Sequence, residues 1–264
     1  MHVRTKVAVF LVALAVYGLA PGWTGWSAHA GYLYAAVGAS NDAHLRAEIR
    51  KELQGSKFKA VTVNVHNGIA VLSGEVDLYA YKLDAIRKAH KVPGVKELMD
   101  NIAVGGPDLP DQVLQQKLLN KIEVDRVGYG QVFSAISVEV QNGVVTLGGH
   151  ARGPVTKQSA LALTQYMPGV KDVIDRIQVD PVSQFDDGIR LAVYNAIYNY
   201  APLMQYADVP SRPIRISVQN QNVTLYGVVD NEMDKELIGI RANLVPNVFH
   251  VTNNLVVASQ EKEK

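Results

Sequence analysis

Apolar and polar residues alternate along this chain in a pattern that recurs three times. The first copy spans residues 61–76, with Val61, Val63 and Val65 on one side of an Asn67-Gly68 pair. Alternation on both sides of Asn-Gly predicts a β-hairpin, because both residues tolerate the positive φ of a tight turn. In the third copy Gln221 stands where the glycine would be, so we expect a looser or longer turn there.

Two further landmarks keep a fixed spacing. A glycine near the end of each hairpin falls at 74, 149 and 227, and a proline falls at 93, 168 and 246. The steps are 75 and 78 residues for both landmarks, which establishes an internal repeat. The hairpin glycine is expected where the second strand ends, to permit close backbone packing or a bulge.

Helical periodicity brackets each hairpin. Apolar residues spaced by four precede it and predict one amphipathic helix per copy: Leu45, Ile49, Leu53; Leu114, Leu118, Ile122; Ile189, Val193, Ile197. Aspartates at the starts of these helices are expected to accept hydrogen bonds from free helix amides: Asp42, Asp111, and Asp186 or Asp187. A second helix fits between the glycine and the proline, and a last strand follows over 95–104, 170–179 and 248–257.

These elements predict an α+β fold of three tandem αββαβ units. Each unit is a small mixed three-stranded sheet with two helices on one face. The helical crossover makes the third strand parallel to its neighbour.

The repeated hairpin, the Pro-Gly-Val turn and the closing strand Val251-Thr-Asn-Asn-Leu-Val-Val257 resemble the BON domain (bacterial OsmY and nodulation domain). The resemblance covers nearly all of the chain after residue 41. It implies a non-enzymatic envelope protein connected with membrane integrity or osmotic stress, and phospholipid binding as in some family members.

The N-terminus resembles an export signal. Arg4 and Lys6 precede an apolar stretch, and Ala28-His-Ala30 is a small-x-small cleavage site, so we expect cleavage after Ala30 and a periplasmic location. An uncleaved membrane anchor is the alternative. The predicted divisions are a signal peptide at 1–30, a lead-in at 31–41, units at 42–105, 110–180 and 186–258, and a disordered tail at 259–264.

Charge and residue composition argue against several classes of function. The formal net charge is +1, and no single unit is basic enough to indicate nucleic acid as the main partner. A small basic excess in unit 1 includes Arg46, Arg50, Lys51, Lys57 and Lys59; it suits either anionic headgroups or a solvated helix face. The chain has no cysteine, its histidines lack metal-ligand spacing, and no nucleophile or phosphate-loop motif occurs, so we predict no metal, no cofactor and no enzyme activity.

The copies differ most between the first helix and the first strand, where units 2 and 3 carry longer segments. We predict that apolar and aromatic residues of these segments form a lipid- or partner-binding surface: Tyr129, Phe133, Tyr198, Tyr200, Leu203, Met204, Tyr206. The alternative is that they fold back over their own unit or pack on a neighbour. The predicted function is association with membrane phospholipid for envelope maintenance or osmotic stress protection. The alternative function is a structural adaptor that binds envelope proteins or peptidoglycan through these segments.

Overall fold

The chain folds into three αββαβ units in a computed structural model that describes residues 41–124, 132–207 and 213–258. The predicted signal peptide, most of the lead-in and the tail lie outside the described residues. The predicted α+β class with three repeated units is confirmed.

Unit 1 begins with helix α1, residues 41–52, followed by a single 3-10 turn. Its other elements are β1 (Val61–His66), β2 (Ile69–Val76), α2 (Tyr79–His90) and β3 (Glu97–Val104). The central strand β2 pairs antiparallel with β1 and parallel with β3, as the crossover predicts.

Unit 2 repeats this order with one interruption. Its elements are α3 (Asp111–Val124), β4 (Ala135–Gln141), β5 (Val144–Ala151), α4 (Pro154–Gln165), β6 (Asp172–Asp175) and β7 (Gln178–Val179). The predicted third strand is therefore two short strands, which both pair parallel with β5 and are separated by Arg176 and Ile177. Between them, the amide of Ile177 binds the Asp175 side chain at 3.0 Å.

Unit 3 has the longest connection between its first helix and its first strand. Its elements are α5 (Gln184–Tyr198), a 3-10 turn (Ala201–Leu203), α6 (Met204–Ala207), β8 (Arg215–Gln219), β9 (Asn222–Val229), α7 (Glu232–Asn243) and β10 (His250–Val257). The strand β9 lies in the centre, antiparallel to β8 and parallel to β10.

Each unit has its own hydrophobic core between helices and sheet. The predicted stripes of all three first helices are buried: Leu114 and Leu118 are fully buried, and so are Val193 and Ile197. Burial of one such side chain contributes about 1.5–3 kcal/mol. The three stripes therefore account for a large part of the stability of these small units.

The hairpin glycines allow the close backbone approach that the sequence predicts. A Cβ added at Gly74 would lie 1.9 Å from the carbonyl oxygen of Ala60, and the equivalent distances at Gly149 and Gly227 are 2.0 Å. All three have positive φ, at 114°, 81° and 123°. The central strands continue two residues past these glycines, so the glycines mark a close approach within the strand and not its end.

The turn of unit 3 contradicts the expectation of a looser or longer loop. Gln219 pairs with Asn222, so the turn contains only Asn220 and Gln221. Their φ values are 50° and 67°, close to the 53° and 82° of Asn67 and Gly68. Gln221 thus adopts the left-handed conformation in place of glycine and keeps the register.

Candidate functional site

The long segment of unit 3, residues 198–207, is built around two buried tyrosines. The hydroxyl of Tyr198 donates to the carbonyl of Ile214 at 2.8 Å and accepts from its amide at 3.0 Å. The hydroxyl of Tyr206 donates to the Asp234 carboxylate at 2.6 Å and accepts from the amide of Asp230 at 2.9 Å. Burial raises the pKa of Tyr206 to about 12. These bonds hold the segment against β8 and α7.

Apolar contacts complete this packing. Leu203 is fully buried, and the rings of Tyr194 and Tyr198 lie 4.9 Å apart. Phe133 of unit 2 is 5% exposed and belongs to the core of unit 3, where its ring meets Tyr194 edge-on at 6.2 Å. Unit 2 therefore contributes to the core of unit 3.

The structure corrects the predicted contact surface. Phe133, Tyr198, Leu203 and Tyr206 are all buried and do not present a surface to a ligand in this conformation. The reason is that their polar atoms and rings find partners inside the protein, as the alternative interpretation describes. Tyr129 lies outside the described residues.

Two predicted residues remain at the surface, Tyr200 and Met204. Met204 is 50% exposed, and Tyr200 is half-buried. The guanidinium carbon of Arg241 lies 4.4 Å from the centroid of the Tyr200 ring, and its Nε donates to the carbonyl of Ala196 at 3.0 Å. Tyr200 and Arg241 are thus in contact, and the exposed Met204 follows Tyr200 by four residues along the chain. We call Tyr200, Met204 and Arg241 the surface cluster.

Units 2 and 3 meet at a buried polar junction that sequence reasoning missed. Asp180 has no exposed side-chain surface and pairs with Arg190, which is 2% exposed, at 3.1 Å. Gln219 donates to the Asp180 carboxylate at 2.7 Å and lies 2.9 Å from Nδ1 of His150. Burial alone would raise the pKa of Asp187, but hydrogen bonds from Arg190 and Arg152 hold this pKa below its usual range.

The aspartates at the first helices serve a different purpose from the predicted one. Asp42 accepts hydrogen bonds from the amides of Asn67 and Gly68, at 2.7 and 2.9 Å, so it binds the hairpin turn and not its own helix. Asp111 and Asp186 make the same two bonds in units 2 and 3. The cap of α5 is instead Ser183, which accepts from the amide of Asp186 at 3.1 Å.

The basic residues of unit 1 are only partly free for a ligand. Lys57 pairs with Asp84 at 2.6 Å, and Arg46 lies 3.5 Å from the carbonyl of Val65. Arg50, Lys51 and Lys59 are exposed. Within residues 41–124, 132–207 and 213–258 no group of acidic, histidine or cysteine side chains could hold a metal ion. No helix in that part of the chain is long and apolar enough to cross a bilayer.

The fold and the site together define a chain of small α+β binding modules. The family model for the BON domain matches residues 41–106, 110–181 and 202–259. The chain therefore belongs to the BON domain family, which confirms the resemblance seen in the sequence. BON domains are binding domains without catalytic activity. The third match omits α5, although α5 packs against β8, a strand of the unit 3 sheet.

Similar proteins include an uncharacterised protein in the gshII 5′ region of Anaplasma centrale, 30% identical over 143 residues, which are 53% of this chain and 95% of that protein. Among solved structures, one similar to this chain is the C-terminal domain of CdsD, a structural protein of the type III secretion system of Chlamydia trachomatis. It aligns with a TM-score of 0.23 and 16% identity, and the alignment covers 80% of this chain and 96% of that domain. The periplasmic domain of PrgH, a type III secretion inner membrane protein of S. typhimurium, aligns with a TM-score of 0.19 and 11% identity. This alignment covers 79% of the present chain and 98% of the PrgH domain. At these TM-scores neither structure bears on function.

Proposed function

We propose that this protein is exported to the periplasm, with its signal peptide cleaved after Ala30, and that it acts there by binding membrane phospholipid. In this function it maintains the envelope and protects it under osmotic stress. Family membership and the signal-like N-terminus support the location.

The observation that carries the proposal is the composition of the surface cluster. A side chain such as Met204 can enter the acyl boundary, and a tyrosine is suited to the headgroup level because it is apolar with a polar tip. A cation such as Arg241 adds about 1 kcal/mol of attraction to an anionic leaflet. The binding residues are thus Tyr200, Met204 and Arg241, while the buried tyrosines hold the segment in place.

The adaptor function loses support from this packing. It requires the helix–strand segments of units 2 and 3 to be open for an envelope protein or peptidoglycan. Tyr198, Leu203 and Tyr206 point instead into the core of unit 3. Phe133, from the corresponding segment of unit 2, also lies in that core.

Vesicle flotation of residues 31–264 tests the proposal, with and without anionic phospholipid. We expect binding that increases with anionic lipid and falls at high salt, and loss of most of it in Met204→Ser and Arg241→Gln. Met99→Ser is a matched control, because Met99 has the same exposed fraction of 50% in a different unit. The proposal fails if the wild type does not float with any lipid, or if Met204→Ser and Met99→Ser bind alike.

A further inference from the structure

Unit 3 has an open groove between its second helix and its third strand. The groove has a volume of about 430 Å³ and is lined by residues of α7, by the residue that follows it and by two residues of β10: Glu236, Gly239, Ile240, Asn243; Leu244; Val251, Asn253. Ile240 is 56% exposed and Leu244 is 68% exposed. Exposed apolar side chains that gather at a concave site are typical of an interaction surface.

The same groove in unit 2 is occupied by an aromatic residue of unit 1. Tyr79, the first residue of α2, lies against the start of β6, where its hydroxyl interacts with Asp172 and Val173. Its ring packs against the core of unit 2, and burial raises its pKa to about 12. Asp172 and Val173 stand 78 residues before His250 and Val251, so they occupy the equivalent positions in the repeat.

The far wall of the unit 2 groove is also in contact with unit 1. The ring of Tyr81 meets the ring of Tyr166 edge-on, with centroids 6.5 Å apart and an interplanar angle of 85°. Tyr166 occupies the position of Leu244. The fold therefore already uses this groove to receive aromatic side chains from another BON unit.

One position of the groove carries a much smaller residue in unit 3 than in the other two units. Gly239 takes the place of Leu161 in unit 2 and of Ile86 in unit 1. Leu161 and Ile86 are both partly buried against their own cores. A glycine in the middle of a helix costs about 1 kcal/mol relative to alanine. Here it leaves the strand uncovered, and even a Cβ would lie 2.9 Å from Nδ2 of Asn253.

The floor of the groove has also lost a charge. In units 1 and 2 the residues equivalent to Asn253 are Asp100 and Asp175, which pair with Lys82 and Lys157 at 2.8 Å. In unit 3 the amide of Asn253 donates to the carbonyl of Lys235. A neutral floor costs less to desolvate than an ion pair, and so it suits an apolar occupant.

The patch also carries an aromatic residue of its own. Phe249 precedes β10 in the same alternation as Val251 and Asn253, and it is 72% exposed. Met233, 77% exposed, lies on the same stripe of α7 as Ile240 and Leu244. A twofold interface needs one patch that is complementary to itself, and a groove with an exposed aromatic residue beside it meets that requirement.

We propose that this groove pairs with the same groove of a second copy of the chain across a twofold axis. Phe249 of each copy enters the groove of the other and takes the place that Tyr79 takes in unit 2. The inference goes beyond the proposed function, because it concerns α7 and β10 and not the surface cluster.

Sedimentation equilibrium of residues 31–264, from about 1 to about 200 µM, tests the pairing. We expect a dimer in the wild type and a dissociation constant at least tenfold weaker in Leu244→Lys and in Phe249→Ser. Leu244→Lys introduces the residue that unit 1 carries at this position, Lys91. Val155→Ser is the control, because Val155 is the 78% exposed counterpart of Met233 in unit 2.

The variants at positions 244 and 249 replace exposed side chains, so they should keep the wild-type thermal unfolding curve. A wild type that stays monomeric over the whole range would overturn the proposal. So would a dimer that Leu244→Lys and Phe249→Ser leave unchanged. If the wild type is monomeric and Phe249→Ser loses vesicle binding, the groove faces lipid and the pairing is also refuted.

Discussion

Replacement of Gly74 by alanine should selectively destabilise unit 1. The new Cβ would lie 1.9 Å from the carbonyl oxygen of Ala60 and 3.3 Å from the Cα of Val61, so β1 must move away from β2. The φ of 114° adds backbone strain for any residue with a side chain. Strain contributes about 1–3 kcal/mol and the forced displacement about 1–3 kcal/mol, so the expected loss is about 2–6 kcal/mol.

This loss is large compared with the stability of one unit. A domain of this size has a free energy of unfolding on the order of 3–10 kcal/mol. Hydrogen exchange read by mass spectrometry suits the experiment, because three units need not unfold together. Amides of β1 and β2 should exchange about 30-fold to about 20,000-fold faster, since each 1.4 kcal/mol is about a factor of ten. Amides of unit 3 should keep their rates.

The matched control is Gly55→Ala in the same unit. Gly55 has an extended φ of −174°, and its added Cβ would meet only Phe58, at an ordinary 3.8 Å. Its exchange rates should differ from the wild type by no more than a few-fold. If Gly74→Ala changes protection as little as Gly55→Ala does, then the close approach to Ala60 does not set the stability of this hairpin.

The remaining predictions concern three aspartates. Asp111→Ala should lower the free energy of unfolding by about 2 kcal/mol, because two charge-assisted hydrogen bonds to the turn are lost. The turn amides of residues 142 and 143 should then exchange faster, and unchanged protection of these amides would contradict the turn-binding role. Asp180→Asn leaves Arg190 buried with one charged partner fewer, so the free energy of unfolding should fall by about 3 kcal/mol. The loss should appear as a lower urea midpoint, and an unaltered midpoint would show that the junction is energetically neutral. The hydrogen bond from Lys57 holds the pKa of Asp84 below the usual 3.8, so the ionised carboxylate stabilises the fold above that pH and the stabilisation disappears as pH falls through the lowered pKa. Asp84→Asn should therefore be less stable than the wild type at pH 6, and the difference should shrink as the pH falls through the lowered pKa. A difference that does not depend on pH would refute this cause.

The sheets could be predicted from the sequence because their signals are local. Alternation, Asn-Gly and the later glycine act within about ten residues, and the structure reproduces the hairpins and their register. The expectation for Gln221 failed because a residue with a side chain can adopt a positive φ when its surroundings hold it there. The two turn amides bind Asp186, at 3.0 and 2.9 Å, and this contact comes from a different element.

The role of these aspartates was within reach of the sequence. Each lies three residues before the first apolar position of its helix: Asp42 before Leu45, Asp111 before Leu114 and Asp186 before Ile189. That constant offset selects Asp186 over Asp187. The spacing from the aspartate to the hairpin varies among the units, which hides the connection between them.

Burial of the unit 3 segment could not be read from its composition. Tyrosine, leucine and methionine suit both a binding surface and a core, and the choice depends on partners far away in the sequence. Tyr206 is buried because Asp234 and the amide of Asp230 lie where its hydroxyl ends. The Asp180–Arg190 pair is likewise formed only when units 2 and 3 come together.

The three copies therefore share their sheets but differ at the surfaces that join them. Unit 1 contacts unit 2 through tyrosines of helix α2. Unit 2 contacts unit 3 beside the edge strand β8, where the amide of Ile216 donates to the carbonyl of Val132 at 2.6 Å. Because the second contact does not use the groove, the groove of unit 3 has no occupant within the described part of the chain. At one position on the second helix the scaffold carries Leu161 in unit 2 and Gly239 in unit 3, and the smaller residue leaves more of the strand open.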